Sequence, residues 1–247
     1  MNIHIFYRLA NQPAAQPKEK LTEATKEACL QNCADVFGSS RLTVFGDRLD
    51  KATKDMVDSL GIQLIEVNEG SGGGTFRRAA REAMEMDDSE VVYLLEDDFL
   101  HLPHAPEAIM DGLGSGASYV TLYDHPDKYI DGKMGGNPPV KDGGEATRLL
   151  CGNVCHWKIT NSTVMTFAST VGQLRHDWNV FLKYCPGRYT DDYKLFRTLR
   201  RKGRTLLSSV PGAATHCESK FLSPFTDWTA IAKKPKNNVQ TGIQGAF

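Results

Sequence analysis

Apolar residues in the first hundred positions fall into short blocks separated by polar, helix-forming stretches. Residues 3–7 alternate weakly and run into Asn11, Pro13 and Pro17, which predicts a strand followed by a loop. Residues 19–36 place Leu21, Ala24, Ala28 and Leu30 among Glu and Lys, the spacing of an amphipathic helix. Residues 41–47 predict a second strand ending at Gly46-Asp47, 51–60 a helix stopped by Gly61, and 62–67 a third strand. A Gly-rich stretch at 70–75 precedes a helix over 76–86, and 91–95 is an unbroken apolar strand. This βαβαβαβ order predicts an α/β sheet, mostly parallel, wound like a nucleotide-binding fold.

The second half has a different rhythm. A short helix over 105–113 precedes a strand at 117–124. Residues 126–147 are rich in Gly, Pro and charge, and read as a long loop of the kind that is usually functional or mobile. Strands follow at 147–150 and 160–168, helices at 169–184 and 191–202, and a strand at 205–210 that leads to His216. The tail from 233 has little apolar content and reads as loose.

The strand at 91–95 ends in Glu96-Asp97-Asp98, and no Lys or Arg follows until Lys128. Ionised carboxylates at the end of a buried strand are costly without a positive partner. A hard divalent cation carrying a diphosphate would supply one; the alternative is a solvated acidic turn. Ligands of open α/β sheets bind outside the carboxyl ends of the strands, which collects Arg8, Asp47, the 70–75 stretch and the three acids on one edge. The 70–75 stretch lacks the Gly-Lys-Ser/Thr of a P-loop and the spacing of a dinucleotide fingerprint. It leads into a helix start followed by Arg77 and Arg78, so it reads either as a phosphate cradle or as a flexible turn. Thr190-Asp191-Asp192 opens a helix and reads as capping unless other evidence intervenes.

Composition narrows the classes. The 247 residues carry a net charge of −1, which gives no electrostatic footprint for nucleic acid or an anionic membrane. No apolar run reaches the ~18 residues of a membrane span. The N-terminus is too short and polar for a signal peptide, so the chain is expected to be cytoplasmic or a trimmed catalytic domain. Six Cys without a CxxC pair suggest reduced thiols and argue against a zinc site.

Taken in order, these pieces resemble glycosyltransferases of the GT-A fold. Glu96-Asp97-Asp98 stands in the place of that class's Asp-x-Asp, and with Phe99 and Pro103 it looks most like the inverting N-acetylglucosaminyltransferase group. The polar strand 160–167, Thr190-Asp191-Asp192 with Leu195, Arg197 and Leu199, and a late strand ending in His216 complete the set over roughly residues 1–220. The resemblance implies a Rossmann-like, mostly parallel sheet flanked by helices, with a smaller mixed sheet on the acceptor side. It implies one domain over 1–232, with a nucleotide-binding half at 1–100, an acceptor half at 101–232 and a tail at 233–247. It implies transfer with inversion from a UDP- or GDP-sugar to a hydroxyl of a glycan or glycoprotein in a bacterial or viral type of enzyme. Mn²⁺ or Mg²⁺ would sit on Asp98 and His216, with Glu96 or Asp97 at the sugar or ribose. Arg8 and Arg77 would assist the phosphates, and Asp47 would face the base or ribose. Asp191 or Asp192 would be the general base, the match favouring Asp192, with Asp177 next in line. The family's Gln-x-x-Arg-Trp motif is absent. Two alternatives stand beside it. One is a sugar-phosphate nucleotidyltransferase, which would want a Gly-rich basic loop after the first strand, where residues 9–17 hold no Gly. The other is a non-catalytic module that binds nucleotide or carbohydrate.

Overall fold

The structure, a computed structural model, describes residues 3–11 and 19–233. The expected loop around Pro13 and Pro17 and the expected tail beyond 233 lie outside the described residues. Elements β1 (Ile3–Ala10), α1 (Lys26–Phe37), β2 (Leu42–Asp47), α2 (Lys51–Ser59), β3 (Gln63–Val67), α3 (Gly72–Ala83) and β4 (Val91–Glu96) alternate as the apolar pattern predicts. Then come β5 (Phe99–His101), α4 (Ala105–Gly114), β6 (Tyr119–Thr121), β7 (Leu149–Cys151), β8 (His156–Ile159), β9 (Phe167–Thr170), α5 (Val171–His176), α6 (Trp178–Tyr184), α7 (Asp192–Arg201), β10 (Leu206–Val210), β11 (Ala214–His216) and α8 (Trp228–Ala232).

One 9-stranded sheet runs in the order β3-β2-β1-β4-β9-β6-β10-β8-β7. Its first four strands are parallel. β9 enters antiparallel between β4 and β6, β10 lies parallel to β6, and β8 and β7 close the far edge in antiparallel fashion. The fold is therefore α/β with a sheet that is parallel in one half and mixed in the other. A separate 2-stranded antiparallel sheet joins β11 to β5. Among the described residues no helix is long and apolar enough to cross a membrane.

Strand side chains point alternately to opposite faces, and the core divides accordingly. Ile3, Ile5, Tyr7 and Leu9 of β1, with Val91, Tyr93 and Leu95 of β4, pack with Leu30 and Phe37 of α1 and Ile109 of α4. Phe6, Val92 and Leu94 face the other way, onto Phe76 of α3, Phe181 of α6 and Phe196 of α7. Phe167 of β9 lies at the centre of this second face, its ring 5.6 Å from Phe181, 5.6 Å from Tyr119 and 5.4 Å from Phe196. Phe167→Ala is expected to cost about 3–5 kcal/mol, since the rigid neighbours leave a cavity. Urea unfolding checks this, and a loss below about 1 kcal/mol would contradict the packing.

Several elements differ from the pattern's prediction: the strand expected over 117–124 is only Tyr119–Thr121, β5 and β8 were not expected, and α3 starts at Gly72 rather than 76. The first helix starts at Lys26 rather than 19, because the Thr25 hydroxyl caps it by accepting the Ala28 N–H at 3.1 Å. The helix expected over 169–184 breaks at Asp177 into α5 and α6. Residues 160–166 lie outside any strand. Their Thr, Asn and Ser side chains bond to the 126–147 segment instead of facing a sheet neighbour.

Candidate functional site

Parallel pairing brings the predicted edge together. Arg8 lies opposite Glu96, and Ala10 opposite Asp47, at the carboxyl ends of β4 and β2. Asp97 and Asp98 form the turn from β4 into β5. Each of the three acids meets a cation. Glu96 lies 3.7 Å from Arg8 and accepts the Thr166 hydroxyl at 3.2 Å. Asp97 accepts the Ala10 N–H at 3.2 Å and lies 3.3 Å from Lys26. Asp98 Oδ2 is 2.9 Å from both His216 Nε2 and Lys20 Nζ. Lys20 and Lys26 escape a reading along the sequence because their partners are some seventy residues away or more. Residue 20 is fixed by its backbone bridge to Glu218, just past β11.

His216 reaches Asp98 because β11 pairs with β5, setting His216 opposite Phe99, while Cys217 donates its N–H to the Asp98 carbonyl at 2.8 Å. Burial alone would raise the Asp98 carboxyl; the His216 and Lys20 charges outweigh it and hold the group well below the usual carboxylate range. Asp97 goes the other way, raised by burial and by the Asp98 charge.

The donor set can be tested against a divalent cation. Asp98 Oδ1 is buried with no hydrogen-bond partner, an acceptor left open beside the His216 imidazole. Among the described residues no group of three or more His, Cys, Asp or Glu is arranged to hold a metal. The Asp98 carboxylate fits a hard cation that keeps water and phosphate oxygens in its other positions, the usual mode of Mg²⁺; the imidazole is a softer donor than such an ion prefers. The two do not fit an all-protein cage, and Lys20 must leave Asp98 Oδ2 for the carboxylate to turn fully to a metal.

The Gly-rich stretch is not the flexible turn of one earlier reading. Gly72, Gly73 and Gly74 form the first turn of α3, capped by the Ser71 hydroxyl accepting the Gly74 N–H at 3.1 Å. A Cβ at Gly73 would come within 2.3 Å of the Gly187 carbonyl oxygen, so this glycine is needed for close packing of α3 on the segment before α7. Arg77 serves the same contact, donating to the Cys185 carbonyl, and Arg78 pairs with Glu82 at 2.6 Å. Asp47 is buried and accepts the Thr75 hydroxyl at 3.1 Å, while its Oδ1 makes no hydrogen bond and lies 4.0 Å from Arg48 Nε. Arg8 is buried over the Phe76 ring, 5.5 Å from its centroid, and donates to the Met165 carbonyl at 2.6 Å.

The candidate bases separate clearly. Asp191 caps α7, accepting the Lys194 N–H at 3.1 Å and pairing with its ammonium at 2.8 Å. Asp177 is buried and bonded to Tyr119 at 2.9 Å, Gln173 at 2.6 Å and Arg204 at 2.8 Å, a structural knot at the α5–α6 break. Asp192 is partly buried, and its carboxyl is pushed up to about 6. Burial is the main cause; the Tyr193 N–H opposes it, and the Glu96 and Asp191 charges add to it. The influence of Glu96 ties Asp192 to the acidic edge.

Residues that the sequence did not single out line the same region. Lys128 is buried and donates to Asn161 Oδ1 at 3.1 Å and Ser162 Oγ at 2.8 Å. Burial lowers its ammonium, and Asp127, Glu145 and Asp192 oppose that shift. Nearby, Lys158 and Asp124 form a buried pair at 2.6 Å, with the Tyr129 hydroxyl donating to Asp124. These contacts pin the 126–147 segment, whose length had marked it as functional without naming a residue.

No protein-family model matches the chain, and no curated protein does. Among solved structures it is similar to a CMP:2-keto-3-deoxy-manno-octonic acid synthetase complexed with CTP, at 14% identity over 84% of this chain and 89% of that one, with a TM-score of 0.49. It is similar to a nucleotidyl transferase from Methanothermobacter thermautotroptrophicus, at 11% identity over 84% and 87%, with a TM-score of 0.47. A cytidylyltransferase from Leptospira borgpetersenii serovar Hardjo-bovis gives 11% identity over 72% and 64%, with a TM-score of 0.42. At these identities the likeness extends to architecture alone. The expectation of glycosyl transfer is corrected here: the structures found are described as a CMP:2-keto-3-deoxy-manno-octonic acid synthetase, a nucleotidyl transferase and a cytidylyltransferase. The physical source of the misreading is plain. An acidic end on a buried strand and a late histidine meet through the β5–β11 pairing, an arrangement that does not by itself specify glycosyl transfer.

Proposed function

We propose that this chain is a nucleotidyltransferase that joins the nucleotidyl group of a nucleoside triphosphate to a hydroxyl of a sugar-type substrate, releasing pyrophosphate. The observation that supports the reading is a row of three acid–cation pairs at one sheet edge, with Asp192, a carboxyl raised by burial, at the start of α7 within the influence of Glu96. Arg8, Lys20 and Lys26 already hold three acids there. A polyphosphate gives all three cations an alternative partner and brings its own divalent ion to the open oxygen of Asp98. When bound, Mg²⁺ or Mn²⁺ would neutralise charge on the phosphates as a Lewis acid.

In the proposed step the substrate hydroxyl oxygen forms a bond to the α-phosphorus, and the bond from that phosphorus to the bridging oxygen breaks. The hydroxyl proton passes to Asp192, and pyrophosphate leaves. A carboxyl with a pKa near 6 is ionised at neutral pH and is a stronger base than an ordinary aspartate. Lys128, beside Asp192, would hold the acceptor's polar groups through the Asn161–Ser162 network.

A second reading, a nucleotide-binding module without chemistry, is favoured by one contact: the Lys20 ammonium occupies Asp98 at 2.9 Å, where a metal would lie. Calorimetry with each nucleoside triphosphate, with and without Mg²⁺, separates the two. The transferase reading expects binding that requires the cation and prefers one base. Binding of equal strength without Mg²⁺ would favour the module.

A further inference from the structure

A cavity of about 330 Å³ opens between α7 and the segment around Pro139–Ala146, lined by Glu145, Asn161, Arg197, Arg200 and Arg201. Its size is that of a site for a small ligand, at the lower end of the usual range. The three arginines recur at i, i+3 and i+4 and so share one helix face. Like charges at this spacing cost a few tenths of a kcal/mol per pair, and the negative end of the helix dipole offsets only part of that. The dipole would be served equally by basic residues on any face; here all three line one cavity.

The opposing wall is close to neutral. Glu145 is the one carboxylate among the lining residues. It is committed to the backbone N–H of Asn161 at 2.7 Å and the Thr160 hydroxyl at 2.9 Å. Asn161 is buried, and its Oδ1 takes the Lys128 ammonium at 3.1 Å, which also lies 3.7 Å from Asp127. Arg197 is held by the Tyr193 hydroxyl at 2.6 Å and lies over that ring, which orders its guanidinium. Arg200 and Arg201 meet no carboxylate within salt-bridge distance among the described residues.

We infer that this cavity binds an oxyanion, a phosphate monoester or a carboxylate, through Arg197, Arg200 and Arg201. Planar guanidinium groups suit such ligands because each can donate two parallel hydrogen bonds. Asp192 opens the same helix five residues before Arg197, but at about 100° per residue the two side chains leave different faces of α7. Naming the anion as part of the acceptor rests on the transferase reading, whereas the anion site itself does not.

Inorganic phosphate, titrated without nucleotide and followed by residue-resolved NMR, tests the site. Saturable shifts are expected at the side chains of Arg197, Arg200 and Arg201 and at Asn161. Arg197→Gln with Arg201→Gln should weaken binding at least tenfold, as loss of two charge-assisted hydrogen bonds requires, while Arg188→Gln leaves it unchanged. A parallel titration with acetate identifies the source: phosphate binding more tightly marks a phosphate ester, and acetate binding at least as tightly marks a carboxylate. Shifts that do not saturate, that are confined to Lys20 and Lys26, or that persist in the double variant overturn the proposal. Because no nucleotide is present, failure of the transferase reading would leave this result standing.

Discussion

Asp192→Asn is expected to reduce transfer by about 10²–10⁴-fold, the usual contribution of a positioned acid–base group. Nucleotide binding should be unchanged, because in the proposed step Asp192 takes the substrate's proton and the cations at Glu96, Asp97 and Asp98 meet the phosphates. The pH dependence gives a second reading of the same residue. The carboxyl is pushed up to about 6 in the folded chain, from an ordinary unfolded value near 3.9. Transfer in the unaltered protein should therefore rise with pH through about 6, as the base ionises. Stability should move in the opposite sense. Between the unfolded and folded values the folded chain binds the extra proton, so stability falls as pH rises across that window. A shift of two units corresponds to roughly 2–3 kcal/mol, so Asp192→Asn should be more stable than the parent at neutral pH, on that order. The Asn side chain can still accept the Tyr193 N–H that Asp192 accepts at 2.8 Å. Undiminished transfer, or a variant that is inactive and also less stable, would remove Asp192 from the base role.

Asp98→Asn is expected to abolish the Mg²⁺-dependent part of nucleotide binding. Even residues one step removed from a metal cost about 10–100-fold when replaced, so a direct ligand should cost at least the upper figure. Asn preserves the shape of the turn and can still accept one hydrogen bond from His216 or Lys20. The side chain nevertheless loses the charge that both cations face at 2.9 Å. Part of the effect should therefore appear as lower stability, which thermal unfolding without nucleotide measures separately. Equal Mg²⁺-dependent affinity in parent and variant would end the assignment of Asp98 as a metal ligand.

The parallel half of the fold was legible because each strand of β1–β4 is a local apolar block between local helix signals. The mixed half was less so. β9 inserts antiparallel beside β4, and nothing near residues 167–170 announces a partner more than seventy positions earlier. The acids at 96–98 and His216 were legible as chemistry, and the β5–β11 pairing explains why they meet. Lys20 and Lys26 were read only as the polar face of a helix, although Lys20 precedes it and turns to Asp98. Gly72–Gly74 read as a loop because glycine usually breaks helices, yet here close approach of the Gly187 carbonyl selects it within one. Asp191 and Asp192 were separated in the sequence only by resemblance, since both stand at a helix start; burial and the charge of Glu96 set them apart physically. Lys128 had no local signal at all, because its partners Asn161 and Ser162 lie more than thirty residues on.

The central claim is that this sheet edge cleaves a nucleoside triphosphate between its α- and β-phosphates. Phosphorus NMR of the protein with each nucleoside triphosphate, Mg²⁺ and a panel of sugar phosphates and sugar acids tests it most directly. The account predicts pyrophosphate and a nucleotidyl-sugar product with one nucleotide, formed only when Mg²⁺ is present and lost in Asp192→Asn. A triphosphate that binds but stays intact with every acceptor, or that is cleaved equally by Asp192→Asn, would contradict it.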